Sequence, residues 1–420
     1  MTEVDLIIHS AAQLLTLQGG PQRGQDLGNL GMIQDGALAI HKEKIYKVGP
    51  SSSIRSAHTA RKEIDASGSV VMPGFVDPHT HLVWVGDRAS EFEQRISGAT
   101  YMEIMASGGG IMSTVRSTRN ASIDQMVAES LPRTMHMLAY GTTTAEAKSG
   151  YGLELPTELR LLQAIQDLSK KSPLELIPTF LGAHAIPEEY SQDPQGYTDL
   201  VSQEMIPILM DWWREQYPDD PLPFVDVFCE TGAFNLQQSK QILTAAKGLG
   251  FPLKIHADEF DGLGGTGLAV ELDATSADHL VQTPFEDILA LGQSETVAVA
   301  LPNTPFGLSE GKYTPANEMI EAGGILALAT DLNPGTAWCE SMQFVISLAC
   351  RYLKITPAQA IAAATINAAA AIQCQERIGS IEEGKQADII ILDIPDYRHL
   401  GYRFGINLVA HVIKRGKIVQ

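Results

Sequence analysis

The stretch Ser69-Val70-Val71-Met72-Pro73-Gly74-Phe75-Val76-Asp77-Pro78-His79-Thr80-His81 carries the decision about the fold. Its β-branched and apolar residues, broken by Pro-Gly, are expected to form a buried strand over 70–76. His79 and His81 follow two residues apart. Along extended backbone, residues at that spacing project from the same face. Two imidazoles held this way can both turn a nitrogen toward one divalent ion. An isolated His-x-His suits a pair of surface-loop histidines equally well, so the remainder of the chain has to choose.

Downstream, strand-like and helix-like segments alternate. Seven further strands are expected at Gly141–Ala147, Leu174–Leu181, Phe224–Cys229, Pro252–Ala257, Asp273–Ala277, Thr296–Leu301 and Gly324–Thr330. Helical patterns lie between them, among them Ser122–Tyr140, Glu154–Leu168, Leu236–Leu249 and Pro315–Ala322. Eight strands alternating with helices suit an α/β fold, a (β/α)8 TIM-like barrel. An open doubly wound sheet has the same alternation, because periodicity does not reveal closure. The two ends read differently. Short strands at Asp5–His9, Gly36–Ile40, Lys44–Gly49, Ala387–Leu392 and Val412–Val419 predict a small β-sandwich domain built from both termini. The expected division is 1–66 and 376–420 for the sandwich, with the barrel over 67–375. The polar, proline-rich segment 187–223 is expected as an elaborated loop with a helix at Asp199–Gln216.

Bulk properties narrow the function. The 420 residues are 44% hydrophobic and 19% charged, with a net charge of −20. That charge argues against nucleic acid or an anionic membrane as the main partner and leaves small-molecule substrates open. Cys229, Cys339, Cys350 and Cys374 form no Cys-x-x-Cys pair, so reduced thiols are expected. The acidic N-terminus has no basic segment leading into an apolar core. A cytoplasmic location follows as an expectation.

In a barrel, reactive groups gather at the C-terminal ends of the strands. Five of the eleven histidines fall at such positions: His79 and His81, His184, His256 and His279. Glu146, Lys148 and Tyr151 follow strand two, Glu259 follows strand five, and Asp331 follows strand eight. His79, His81 and His256 can supply neutral nitrogens to a metal, with Asp331 as the carboxylate. Such a site can lower the pKa of a bound water to roughly 7. Asp331 can accept that water's proton, leaving His279 and Glu259 for orientation, carbonyl polarisation or proton transfer. Zinc and iron both accept this ligand set. Arg88, close after the histidine pair, offers a planar fork for a carboxylate. It could equally form a surface ion pair with Asp87 or Glu91.

The Pro73-Gly74-Phe75-Val76-Asp77-x-His79-x-His81 run, with His256, His279 and Asp331 in order, resembles the amidohydrolase superfamily. Its dinuclear members carry a carboxylated lysine after strand four. Phe224-Val225-Asp226-Val227-Phe228-Cys229-Glu230 has none, which implies one divalent ion per subunit. Five further stretches are similar to the imidazolonepropionase family: Gly86-Asp87-Arg88, Gly108-Gly109-Gly110-Ile111, Glu146–Gly152, Phe180–His184 and Asp331-Leu332-Asn333-Pro334-Gly335-Thr336. That resemblance implies hydrolysis of 4-imidazolone-5-propanoate to N-formimidoyl-L-glutamate in histidine degradation, and a homodimer. It implies metal ligands at His79, His81, His256 and Asp331. It implies substrate contacts at Arg88, Tyr151, His184, Glu259, Asn333, Gly335 and Thr336, with His279 near the reacting water. Arg88 and Tyr151 would hold the propionate, and His184 the ring carbonyl or a ring nitrogen. One departure stands out: Asn317 occupies a position where that family usually has arginine. The competing enzymatic reading is a ring deaminase, since His256-x-x-Glu259 suits such enzymes too. A catalytically silent barrel acting as a scaffold would be expected to have lost ligands.

Overall fold

The expected strand over 70–76 is two strands that belong to different layers. In a computed structural model describing residues 2–98 and 109–420, Val70–Pro73 and Phe75–Asp77 are separated by Gly74. A side chain at Gly74 would overlap Thr143, so only glycine lets the chain pass this closely from one layer to the next. The crossover therefore falls later than the boundary near residue 67 that the sequence suggested.

The first layer comprises β1 (Thr2–Leu15), β2 (Met32–His41), β3 (Lys44–Pro50), β4 (His58–Asp65) and β5 (Val70–Pro73). The barrel follows as β6 (Phe75–Asp77), β7 (Thr142–Lys148), β8 (Glu175–Ala183), β9 (Phe224–Cys229), β10 (Lys254–Ala257), β11 (Ser276–His279), β12 (Val297–Ala300) and β13 (Ile325–Leu328). β14 (Ile389–Leu392), β15 (Val409–Lys414) and β16 (Lys417–Ile418) return to the first layer.

In that layer the order is β16-β15-β14-β5-β1-β2-β3, with β4 also on β1. The sheet curls until its ends meet: Ile45 N–H donates to Lys385 O at 2.9 Å, and Ala387 N–H to Glu43 O at 2.8 Å. Leu6, Ile8, Leu38, Ile389, Ile391 and Ile413 fill the space enclosed. The sandwich expected from both termini takes this form. β4 escaped the sequence reading because His58–Asp65 is polar and largely solvent-facing. The run Val412–Val419, expected as one strand, is a hairpin. It turns at Arg415 (φ 50°) and Gly416 (φ 72°), the pair of positive φ values a tight two-residue hairpin uses.

All eight barrel strands run parallel in chain order. Closure, which periodicity left open, happens just past the ends of β13 and β6. Asp331 N–H donates to His79 O at 3.1 Å and His81 N–H to Leu332 O at 2.9 Å. Thr330 supports this seam, donating from its hydroxyl to Asp77 at 2.6 Å. The strand-one histidines and the strand-eight aspartate are thus joined by the barrel's own closing hydrogen bonds. The loop at 187–223 carries helical backbone from Pro194 to Gln216, starting earlier than expected because Asp193 caps it. Among the described residues, no helix is long and apolar enough to cross a membrane.

Glu175, at the start of β8, ties the two layers together. It meets Arg377 Nη2 at 2.5 Å and Lys414 Nζ at 3.1 Å. Burial alone would raise its pKa, but Arg377 and Lys414 outweigh burial and hold the carboxyl well below its ordinary value. A depressed folded pKa contributes stability that is present above the unfolded value, about 4.3, and disappears as pH falls. Glu175→Gln is expected to cost roughly 2–4 kcal/mol at pH 7, with the gap from the native chain shrinking below pH 4. Thermal melts across pH 3–7 check this. A pH-independent difference would remove the ion pair as its cause.

Candidate active site

At the C-terminal mouth of the barrel, four groups converge. His79 Nε2 lies 3.4 Å and His81 Nε2 3.6 Å from Asp331 Oδ1. His256 Nε2 is 3.4 Å from His81 Nε2. Ligand atoms of His79, His81 and Asp331 lie within 4.8 Å of one another, and so do those of His79, His256 and His279. The expected ligand set is therefore assembled, and His279 is brought into the same cluster. Burial, first of all, pushes the pKa values of His79, His81 and His279 down, so these imidazoles are neutral. His79 Nε2 is a buried nitrogen with no hydrogen-bond partner, an arrangement that a cation would complete. The donor set, imidazoles plus a carboxylate, suits zinc or iron.

Two carboxylates stand behind these rings. Asp278 Oδ2 is 2.6 Å from His79 Nδ1. That contact places the ring proton on Nδ1 and turns the lone pair of Nε2 toward the cluster. Asp226 Oδ2 is 3.0 Å from His256 Nδ1, although the approach is too oblique for a well-formed hydrogen bond. Asp331 is fixed through its other oxygen, which accepts from Thr304 Oγ1 at 2.5 Å. Burial raises the Asp331 pKa to about 6 against the pull of Thr304. Asp331 (φ 55°) and His279 (φ 80°) both have left-handed backbone. Such strain typically costs 1–3 kcal/mol per residue and concentrates at functional sites.

Around the cluster lie the expected substrate residues. His184 stacks on His81 with ring centroids 4.7 Å apart, and Tyr151 is 5.9 Å from His81 and 5.4 Å from His184. His184 Nδ1 is 2.9 Å from Gly150 O. A carbonyl only accepts, so Nδ1 carries the proton and Nε2 is an acceptor. Burial lowers the His184 pKa to about 3, keeping the ring neutral. Glu259 lies 3.6 Å from His279 Nδ1, and burial first, then Asp331, raise its pKa well above the ordinary range. Arg88 Nε donates to Glu91 at 2.8 Å. Arg88 therefore has the expected ion pair with Glu91, and it also lines a cavity of about 480 Å3 with Asn303, Gly335, Thr336 and Trp338. Asn333 organises its own loop, accepting from Gly335 N–H and Thr336 N–H at 2.8 Å each and donating to Asp331 O at 2.7 Å. Asn317 is exposed on the helix Ala316–Glu321, 3.5 Å from Leu353 O, so the residue that departs from the family pattern faces the surface. Of the glycine-rich stretch, Ser107 and Gly108 lie outside the described residues. Gly110 N–H donates to Glu91 at 3.1 Å.

A model of the amidohydrolase family matches residues 70–419. An imidazolonepropionase from Herpetosiphon aurantiacus is 53% identical over 421 aligned residues, covering 100% of this chain and 98% of that one. Another, from Chloroflexus aggregans, is 49% identical over 423 aligned residues, covering 100% of this chain and 99% of that one. The chain belongs to the amidohydrolase family, among its imidazolonepropionases. An adenosine deaminase from Xanthomonas campestris, solved with bound zinc, superimposes with a TM-score of 0.73 at 19% identity. It covers 99% of this chain and 93% of that one, a likeness of fold.

Within this amidohydrolase, the functional parts of Asp226, Asp278 and Thr304 were not read from the sequence, whereas Glu91 was expected as a partner of Arg88. A signal for the first two exists. Asp226 sits between Val225 and Val227, and Asp278 directly precedes His279. A carboxylate inside an apolar barrel strand needs a partner there. Lys148 and Lys254 are fully buried beneath the site. Lys148 Nζ is 2.7 Å from both Glu146 and Asp226. Lys254 Nζ donates to Ser276 Oγ at 2.7 Å and Ala371 O at 3.1 Å.

Proposed function

We propose that this chain opens the cyclic amide of 4-imidazolone-5-propanoate to give N-formimidoyl-L-glutamate in histidine degradation. One divalent ion per subunit, zinc or iron, would be held by His79, His81, His256 and Asp331. The carrying observation is the convergence of those four side chains at the barrel mouth, one loop away from Arg88. The full-length relatives that bear the imidazolonepropionase name support the choice of substrate. A homodimer working in the cytoplasm completes the reading.

A divalent ion held by these residues would supply Lewis acidity and make a water easier to deprotonate. The side chains do the rest. Asp331 takes the proton of the attacking water. The water oxygen joins the carbonyl carbon, the ring C–N bond breaks, and its electron pair leaves on nitrogen. Glu259, kept protonated by burial, gives that nitrogen a proton. His279 orients Glu259 from 3.6 Å. His184 accepts from a ring N–H through Nε2, a narrower role than the carbonyl contact the sequence also allowed, because Gly150 O holds its proton on Nδ1. Arg88 and Tyr151 receive the propionate, and the 333–336 loop shapes the wall beside them.

Incubation of the purified protein with imidazolone propionate tests the reaction. Formimidoyl-glutamate without ammonia is expected. Ammonia release would favour deamination instead, and no product would favour a scaffold. Gly335 offers a sharper test of the carboxylate contact. A Cβ there would overlap the Arg88 guanidinium, and the backbone of Gly335 needs no positive φ. Gly335→Ala is therefore expected to displace Arg88 and raise KM roughly tenfold to a hundredfold, the scale of a charge-assisted hydrogen bond, with kcat changed far less. Arg88→Met should give a similar KM. Steady-state kinetics on both variants decide, and an unchanged KM in both would take Arg88 out of the substrate site.

A further inference from the structure

One buried cation touches three carboxylates that stand behind the histidine cluster. Lys148 is wholly inaccessible to solvent, and its Nζ contacts Glu146 Oε1 and Asp226 Oδ2 at 2.7 Å each and Asp278 Oδ2 at 3.9 Å. Each of those carboxylates leads to the cluster by a different route. Asp278 is bonded to His79 Nδ1 at 2.6 Å, and Asp226 faces His256 Nδ1 at 3.0 Å. Glu146 accepts from Thr80 N–H at 3.1 Å, and Thr80 is the residue between His79 and His81. The Lys148 backbone adds a fourth link, donating from N–H to Thr80 O at 2.9 Å.

We propose that Lys148 is a positioning residue for the metal centre: through Glu146, Asp226 and Asp278 it holds the His79, His81 and His256 rings in the orientation that the ion requires. Three carboxylates packed this closely repel one another, and an ammonium between them fixes their spacing. Burial costs the ammonium, but Asp226 and Glu146 more than compensate, so its pKa is raised and it stays charged. Asp278 in turn holds His79 Nδ1 and leaves its Nε2 lone pair facing the cluster, while Asp226 faces His256 Nδ1 and Glu146 fixes the backbone between His79 and His81. Lys254 is the natural comparison. It is equally buried and reaches Asp278, at 3.7 Å and through Ser276, which accepts from Lys254 and donates to Asp278 at 2.6 Å, whereas Lys148 also contacts Glu146 and Asp226.

This inference rests on the metal reading above, and the experiment separates the two. Metal affinity of the native chain, Lys148→Met, Lys148→Arg and Lys254→Met is measured for zinc by competition with a chromophoric chelator, beside melting temperatures of the metal-free proteins. Lys148→Met is expected to weaken zinc binding tenfold to a hundredfold, the usual cost of losing support behind a ligand. Lys254→Met, which disturbs Asp278 alone of the three carboxylates, should cost severalfold less affinity than Lys148→Met. Lys148→Arg keeps the charge but not the compact point contact, and a fivefold or greater loss is expected. If Lys148→Met does not fold, the arginine variant decides alone. Unchanged affinity in a folded Lys148 variant, or an equal loss in Lys254→Met, overturns the proposal. A native chain that binds neither zinc nor ferrous iron in the same assay overturns the metal reading itself.

Discussion

Asp331→Asn is expected to lower kcat at least about a thousandfold, within the range for removing an acid–base group, while the protein stays folded. The structure makes this substitution unusually clean. Asparagine is nearly isosteric and tolerates left-handed backbone, which Asp331 adopts with φ 55°. The backbone bond from residue 331 N–H to His79 O is untouched, so the closing seam of the barrel survives. Thr304 Oγ1 sits 2.5 Å from Oδ2 and can still pair with an amide. What is lost is the ability to take a proton, together with the negative charge facing His79 and His81 at 3.4 and 3.6 Å. Measuring kcat alongside metal content separates these losses. Low turnover with metal retained assigns Asp331 the proton, and low turnover with metal lost assigns it to binding. Near-normal turnover with metal retained would refute both roles.

Much of the site was legible because chemistry in this fold collects at strand ends. His79, His81, His184, His256, His279, Glu259 and Asp331 lie in separate stretches of the sequence, and the barrel brings them together at one mouth. Two features were not legible, for identifiable reasons. Closure depends on which edge strands meet, and here it is achieved by residues 79–81 and 331–332 outside the regular strands. The division at Gly74 was signalled by the Pro-Gly break, but that the two sides belong to different layers was not, because the halves flanking it are both apolar and buried. A run buried on both faces carries no alternation to show where one layer ends. β4 was hidden for the opposite reason, its polar edge position giving no apolar signal.

The supporting groups were harder to read than the cluster itself. Asp226, Asp278 and Lys148 are far apart in sequence, and each alone resembles a stray charge in a strand. Only the register, which sets Ala257 beside His279 and His256 beside Phe228, brings the strand-four and strand-six carboxylates to the backs of the rings. His184 makes the same point about detail. The sequence placed it near the substrate, but only the Gly150 carbonyl decides which ring nitrogen is free to accept.

Removing the metal is expected to abolish turnover, by more than about a thousandfold, and to lower stability as well. His79 and Asp331 are held in place by Asp278 and Thr304, with Asp226 facing His256, whether or not an ion is bound. Without a cation, His79 Nε2 keeps its desolvation cost with no partner, and burial and the Asp331 charge push the Glu259 carboxyl toward its protonated form. An ion present at a thousand times its dissociation constant contributes about 4 kcal/mol by mass action, so the metal-free protein should melt several degrees lower. Dialysis against a chelator, then titration with zinc or ferrous iron, tests this. Activity should return with one equivalent per chain, because no lysine ends β9 to carry a bridging group for a second ion. Recovery that needs two equivalents would contradict the single-ion site, and full activity with no detectable metal would sink the mechanism. Whichever ion restores the higher kcat identifies the better Lewis acid for this cluster, a choice that imidazole and carboxylate donors alone leave open.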